Sequence, residues 1–226
     1  MLRARGSGGQ VVHELVVNGV FAMDSTETSS ERELAALVPL DRLAPRVLVG
    51  GLGLGYTAVA VLDDPLFPPA GRIEVVELER CLVDWAGAGL TPVLGRVAAD
   101  PRVSLHVADV APVLLGSAPV PVGPWDAVLL DVDNGPDFLI HQHNDRLYDD
   151  ETLRAAYRRL TGGGVLAIWC QGPAPRLLAA LQDIGPAREH RYAVRREGRA
   201  FTYVIYTLQR PAPAAPPPPD PTPRPR

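Results

Sequence analysis

The sequence predicts an open, doubly wound α/β fold with a mostly parallel sheet and a small N-terminal β-hairpin appendage. Three observations carry that expectation. Short apolar strands alternate with helical stretches from residue 46 onward. The first of these strands runs into a glycine-rich loop, Gly50-Gly51-Leu52-Gly53-Leu54-Gly55. Three successive strands end in or just before an acid, Glu77, Asp109 and Asp131. Strands that are apolar throughout, without alternation, are buried on both faces, as helices on either side of a parallel sheet require.

The elements follow in order. Residues 1–10 carry no apolar period and are expected to be a flexible N-terminus. Two apolar runs at 11–17 and 20–23 flank Asn18-Gly19, a strong hairpin signal. Thr28, Ser29 and Ser30 can cap a helix over 31–38, with Glu31 and Glu33 in its first turn. This appendage spans 11–40, and the main domain 41–210. Within the main domain, strands are expected at 46–49, 73–76, 103–107, 125–130, 165–169 and 201–208. Helices are expected at 56–62, 78–88, 150–160 and 176–182. Residues 211–226 hold nine of the 24 prolines. Proline removes the amide donor and fixes φ, so this stretch is read as a disordered tail outside the fold.

Composition narrows the chemistry. All 22 basic residues are arginine and the formal charge is −4. Without lysine, no Schiff base, P-loop lysine or catalytic ammonium is available. The mild acidity argues against a nucleic-acid partner, which calls for a basic stripe. No apolar run reaches the roughly 20 residues of a membrane span, and the N-terminus lacks the apolar core of a secretion signal. Cys81 and Cys170 lie far apart with no CxxC and read as reduced thiols. A cytoplasmic location is expected.

In such sheets, ligands bind beyond the carboxyl ends of the strands. A glycine loop admits close backbone approach there, and an acid ending the second strand suits the two hydroxyls of a ribose. A nicotinamide dinucleotide would need GxGxxG. Counted from Gly51 the last glycine falls on Tyr56, and counted from Gly50 the second falls on Leu52. The pattern Gly51-x-Gly53-x-Gly55 instead resembles class I S-adenosylmethionine-dependent methyltransferases.

The resemblance narrows further. Asp100-Pro101-Arg102-Val103, Asp109, Trp125 through Asp131, Gly135-Pro136 and Leu147-Tyr148 together look like the spermidine synthase (polyamine aminopropyltransferase) family. So do Gly164-Val165-Leu166 and Gln171-Gly172. The likeness runs from about residue 11 to 209 and is stronger in the cofactor half. It implies that Gly51, Gly53 and Gly55 pass under the methionine-derived chain of the donor. Glu77 would hold the ribose and Asp109 the adenine amino group. Asp131 would be the catalytic acid, taking the proton of an incoming amine. Asp133, His141 and Tyr148 would contact the acceptor. Members of the family commonly form oligomers, so a homo-oligomer is implied.

The chain also departs from the family pattern. The loop is typically GGGDGG, and the aspartate that pairs with the ammonium of the decarboxylated donor is Gly53 here. The DxxDPxGP run is shortened to Asp131-Val132-Asp133-Asn134-Gly135-Pro136. Of the N-terminal polyamine residues, only Glu33 matches. The expected activity is therefore transfer of a methyl or aminopropyl group from S-adenosylmethionine, or its decarboxylated form, to a small amine, with the intact donor favoured and no metal. A spermidine synthase proper and a catalytically silent binding protein of the same fold are the alternatives. His141 and His143 lack further ligands at metal spacing and read as a surface loop. In the Asn-Gly-Pro neighbourhood, Asp133 and Asp137 read more as turn residues than as catalytic acids. Trp85, Trp125 and Trp169 read as core or cofactor-edge packing.

Overall fold

The strand that opens the main domain, β4 (Arg46–Gly50), is buried over all but its first residue. On one side it pairs in parallel with β5 (Arg72–Glu77), which pairs with β6 (Val103–Val107). On its other side lies β7 (Trp125–Leu130), followed by β8 (Leu160–Cys170), both parallel to it. The chain thus leaves β4 in one direction and returns on its other flank. That reversal opens a crevice at the carboxyl ends of β4 and β7, the place where α/β sheets bind ligands. Two antiparallel strands complete the sheet, β9 (Ala187–Arg196) at the edge and β10 (Arg199–Gln209) next to β8. The computed structural model describes residues 1–7, 10–17, 19–132, 134–139, 141–196 and 199–213.

Alternate side chains of the central strands enter two separate cores. Val47, Val49, Ala127 and Leu129 face one side. There they meet α1 (Ser29–Ala35), α2 (Tyr56–Asp63), α3 (Arg80–Gly87) and α4 (Pro92–Ala99) through Leu34, Ala58, Leu82 and Leu94. Leu48, Val128, Leu130 and Ile168 face the other. They pack on α5 (Val110–Leu115), α6 (Asp150–Arg158) and α7 (Pro175–Gln182) through Leu114, Leu153 and Leu181. The doubly wound expectation holds. All six residues of β7 are buried, and the indole of Trp125 donates to Glu74 Oε2 at 2.7 Å, satisfying its one polar atom.

The N-terminal unit differs from the expectation. Leu2–Ser7, read as flexible, forms β1, paired antiparallel with β2 (Gln10–Val17), which pairs with β3 (Val20–Asp24). Leu2 packs on the first core, and Arg5 forms an ion pair with Glu14, so this arginine-rich stretch alternates as an edge strand should. Asn18 of the hairpin turn lies outside the described residues, and Gly19 beside it has φ +79°. The tail from residue 214 also lies outside them. Among the described residues, no helix is long and apolar enough to cross a membrane.

Candidate active site

The glycine loop takes its shape from both of its residue types. Gly51, Gly53 and Gly55 have φ of +90°, +49° and +87°, in the region that side chains oppose. Leu52 and Leu54 between them are buried in the first core and pin the loop down. A Cβ on Gly51 would stand 2.2 Å from the carbonyl oxygen of Asp131. The loop is therefore pressed against the end of β7. Gly51→Ala is expected to lose about 2–5 kcal/mol from the left-handed backbone and the overlap together. A urea midpoint equal to the wild type would contradict this packing.

The acids come to the loop from three strands. Glu77, 7% exposed, accepts the Leu52 amide at 2.8 Å through Oε2 and the Glu79 amide at 2.8 Å through Oε1. Burial raises its pKa, and these amide bonds oppose the shift. Asp109 caps α5, accepting the Ala111 amide at 2.9 Å, and its other oxygen pairs with Arg146. Asp131 follows β7, and its Oδ2 accepts from Thr57 Oγ1 of α2 at 2.6 Å. Burial pushes its pKa up, against the pull of the Thr57 hydroxyl. Glu77, Asp109 and Asp131 line one cleft with Gly51 and Gly53. Gly55 stands behind it as the N-cap of α2, its α-carbon turned toward Val97.

The opposite wall comes from the N-terminal unit. Met23, at the end of β3, covers the loop. Its Sδ would lie 2.8 Å from a Cβ on Gly53 and accepts the Leu54 amide at 3.4 Å. Asp24, Glu27 and Glu31 line the same cleft. Glu31 is buried on α1, accepts from Ser30 Oγ at 2.8 Å, and is pushed up to about 7 by burial and by the nearby charge of Asp131. Glu33, taken from the resemblance as the matching N-terminal acid, is instead exposed to solvent. Glu31 repeats with Leu34, Ala35 and Val38 at helical spacing, all buried, which was the available sign that it faces inward.

The remaining candidates divide. His141 lines the cleft, with Nε2 3.7 Å from Glu79 Oε1. His143 is exposed. Tyr148 closes a 3-10 helix, Gln142–Tyr148, and packs on the second core, away from the cleft lining. Asp133 lies outside the described residues, and Asp137 is exposed. Asn134 and Asn144, which no sequence motif singles out, also line the cleft. Trp169 of β8 is a cleft residue, and its ring lies 5.2 Å from that of Tyr203, tilted by 60°.

The fold is of the class I S-adenosylmethionine-dependent methyltransferase type. More particularly, the chain has the spermidine synthase-like form of that fold, with a small antiparallel sheet over the glycine loop. A spermidine synthase in complex with the transition state analogue AdoDATO superposes with a TM-score of 0.68, covering 92% of this chain and 72% of that one at 16% identity. A probable spermidine synthase from Corynebacterium glutamicum gives 0.63 at 17% identity, covering 92% and 80%. Human methyltransferase-like protein 13 in complex with SAH gives 0.56 at 21% identity, covering 82% of each chain. In sequence, a polyamine aminopropyltransferase from Nitrosomonas europaea is 32% identical over 147 residues, 62% of this chain and 41% of that protein. The matched stretch is thus under half of that relative's length. No family model matches the chain.

Proposed function

We propose that this chain is a transferase that binds a sulfonium nucleoside of the S-adenosylmethionine type and passes one of its carbon substituents to an amine. The observation that carries the reading is the charge of the cleft. Glu77, Glu79, Asp109 and Asp131 line one wall, and Asp24, Glu27 and Glu31 the other, while no arginine is among the described lining residues. A low-dielectric cleft of one sign concentrates ligands of the opposite sign. A sulfonium donor and a protonated amine both fit it.

The chemistry balances with these residues. The acceptor must lose a proton to expose its lone pair. The Asp131–Glu31 pair is placed to take it, since its raised affinity for protons suits a base working near neutral pH. The amine nitrogen then attacks the carbon next to sulfur. A C–N bond forms, the C–S pair returns to sulfur, and a neutral thioether leaves. The sulfonium is already an activated leaving group, so positioning and charge supply the rest.

The form of the donor is inferred from what the loop offers. The Gly51 amide donates to Val76, Leu52 to Glu77, Leu54 to Met23 and Gly55 to Leu52. With these four amides engaged and no arginine among the described lining residues, an α-carboxylate would enter an acidic cleft poor in donors. This supports the decarboxylated donor and aminopropyl transfer. Asp24, next in the chain to the Met23 that touches Gly53, supplies negative charge on that side. The second reading, intact donor and methyl transfer, is favoured by the missing side chain at Gly53.

Calorimetry with each donor, followed by mass spectrometry of the thioether formed, separates the two. At least tenfold tighter binding of the decarboxylated donor and release of methylthioadenosine are expected. Preference for the intact donor and release of its homocysteine thioether would select the second reading. Binding of neither donor would discard both.

A further inference from the structure

The sheet order places the cleft residues in a row. Asp109 follows β6, Glu77 ends β5, Gly51 follows β4 and Asp131 follows β7. The row does not stop at Asp131. Leu130 pairs with Ile168, so Asp131 and Trp169 stand side by side at the carboxyl ends of β7 and β8. Trp169 pairs in turn with Ile205 of β10, and Tyr203, two residues earlier on that strand, brings its ring against the indole. The nucleoside acids occupy the β6–β5 end, and the reacting carboxylate the middle. The β8–β10 end is left to the acceptor.

That end differs chemically from the rest of the cleft. Its lining from β8 and β10 is Trp169 and Tyr203, and the N-terminal sheet contributes Leu15, Val17, Ala22 and Met23 to the same cleft, with Asp24 ending β3. Among the described residues, neither β8 nor β10 places a carboxylate in the lining. A diamine held with one nitrogen at Asp131 and Glu31 and extended along β8 and β10 would carry its second ammonium toward aromatic and aliphatic surface, losing hydration where neither strand offers an anion. A ring or branched alkyl group would instead replace water against the indole and phenol faces.

Resting on the transferase reading above, we infer that the acceptor is a monoamine with an aromatic or branched apolar body, held between the Trp169–Tyr203 pair and the apolar residues of the N-terminal sheet. The charged nitrogen lies at Asp131 and Glu31, and the apolar body extends along β8 and β10. Trp169 and Tyr203 are then the residues that set acceptor specificity.

The full-length chain, saturated with methylthioadenosine, is titrated by calorimetry with 2-phenylethylamine, 3-methylbutylamine and 1,4-diaminobutane. The same amines are then compared as acceptors by kcat/KM with the donor that binds. Both monoamines are expected to exceed the diamine at least tenfold in both measurements. Trp169→Leu is expected to remove most of that ratio while leaving donor affinity within twofold. Tyr203→Ala, at a half-buried position, gives the same direction should the tryptophan variant not fold. Tighter binding of 1,4-diaminobutane, or an unchanged ratio in both folded variants, would overturn the inference with the transferase reading intact. Failure of every donor and of methylthioadenosine to bind would instead remove the reading on which it rests.

Discussion

Asp131→Asn is expected to lower turnover by about 10²–10⁴-fold, the usual contribution of a positioned acid–base group, while leaving donor affinity nearly unchanged. The substitution keeps the side-chain shape and one oxygen for the 2.6 Å bond from Thr57 Oγ1. It removes only the capacity to take a proton. The amine can then still enter but stays protonated, with its lone pair unavailable. Single-turnover mass spectrometry of the thioether reads the chemical step, and calorimetry reads donor binding. A rate within threefold of the wild type would strip Asp131 of its proposed role. A parallel loss of donor affinity would make it a binding group instead.

The central sheet was legible because burial on both faces leaves a plain mark. In β7 six consecutive residues are apolar or internally satisfied, and the expected 125–130 coincides with the observed strand. The elements that sequence reading missed are those whose stability comes from elsewhere. β9 reads Ala-Arg-Glu-His-Arg-Tyr-Ala-Val-Arg-Arg and is an edge strand rich in charge, with few apolar residues to mark a period, so its pairing partner β10 defines it. α4 does carry a local start signal, Thr91-Pro92, with the Thr91 hydroxyl accepting the Leu94 amide at 3.1 Å. Gly95 inside the helix weakens the pattern. In the structure it sits against Gly89, where a Cβ would be 3.2 Å from the neighbouring α-carbon. α5 is only six residues long and contains Pro112, too short and broken for a period to show.

The site was legible in one half. Glu77, Asp109 and Asp131 are strand-end acids, and the sheet topology alone brings them to the cleft with the glycine loop. The other wall depends on how the N-terminal unit folds back, which no local pattern encodes. Glu33 was chosen by resemblance, whereas helical phase selects Glu31. The tryptophan was placed among packing residues, and it does pack on the first core. Its exposed face gains meaning only from its position beside Asp131 in the sheet.

Glu31→Gln gives the second large effect, in stability. The folded protein holds this carboxyl up to about 7, from burial first and Asp131 second, while an unfolded glutamate titrates at about 4.3. Between those values the folded state binds more protons than the unfolded state. Stability from this group is therefore fully present below the unfolded value and is lost as pH rises through about 7. The buried amide of glutamine can still accept the Ser30 bond and carries no charge at any pH. The variant should match the wild type below about pH 4 and exceed it at pH 8 by up to about 3.5 kcal/mol, the upper limit set by a shift of this size. Relief of the like-charge neighbour should also move the acidic limb of kcat/KM, where Asp131 must be ionised, to lower pH. Urea titrations across pH 4–8 read the first effect and pH–rate profiles the second. Parallel stability curves for the two proteins would mean that Glu31 is solvated in the folded chain and cannot share the proton with Asp131.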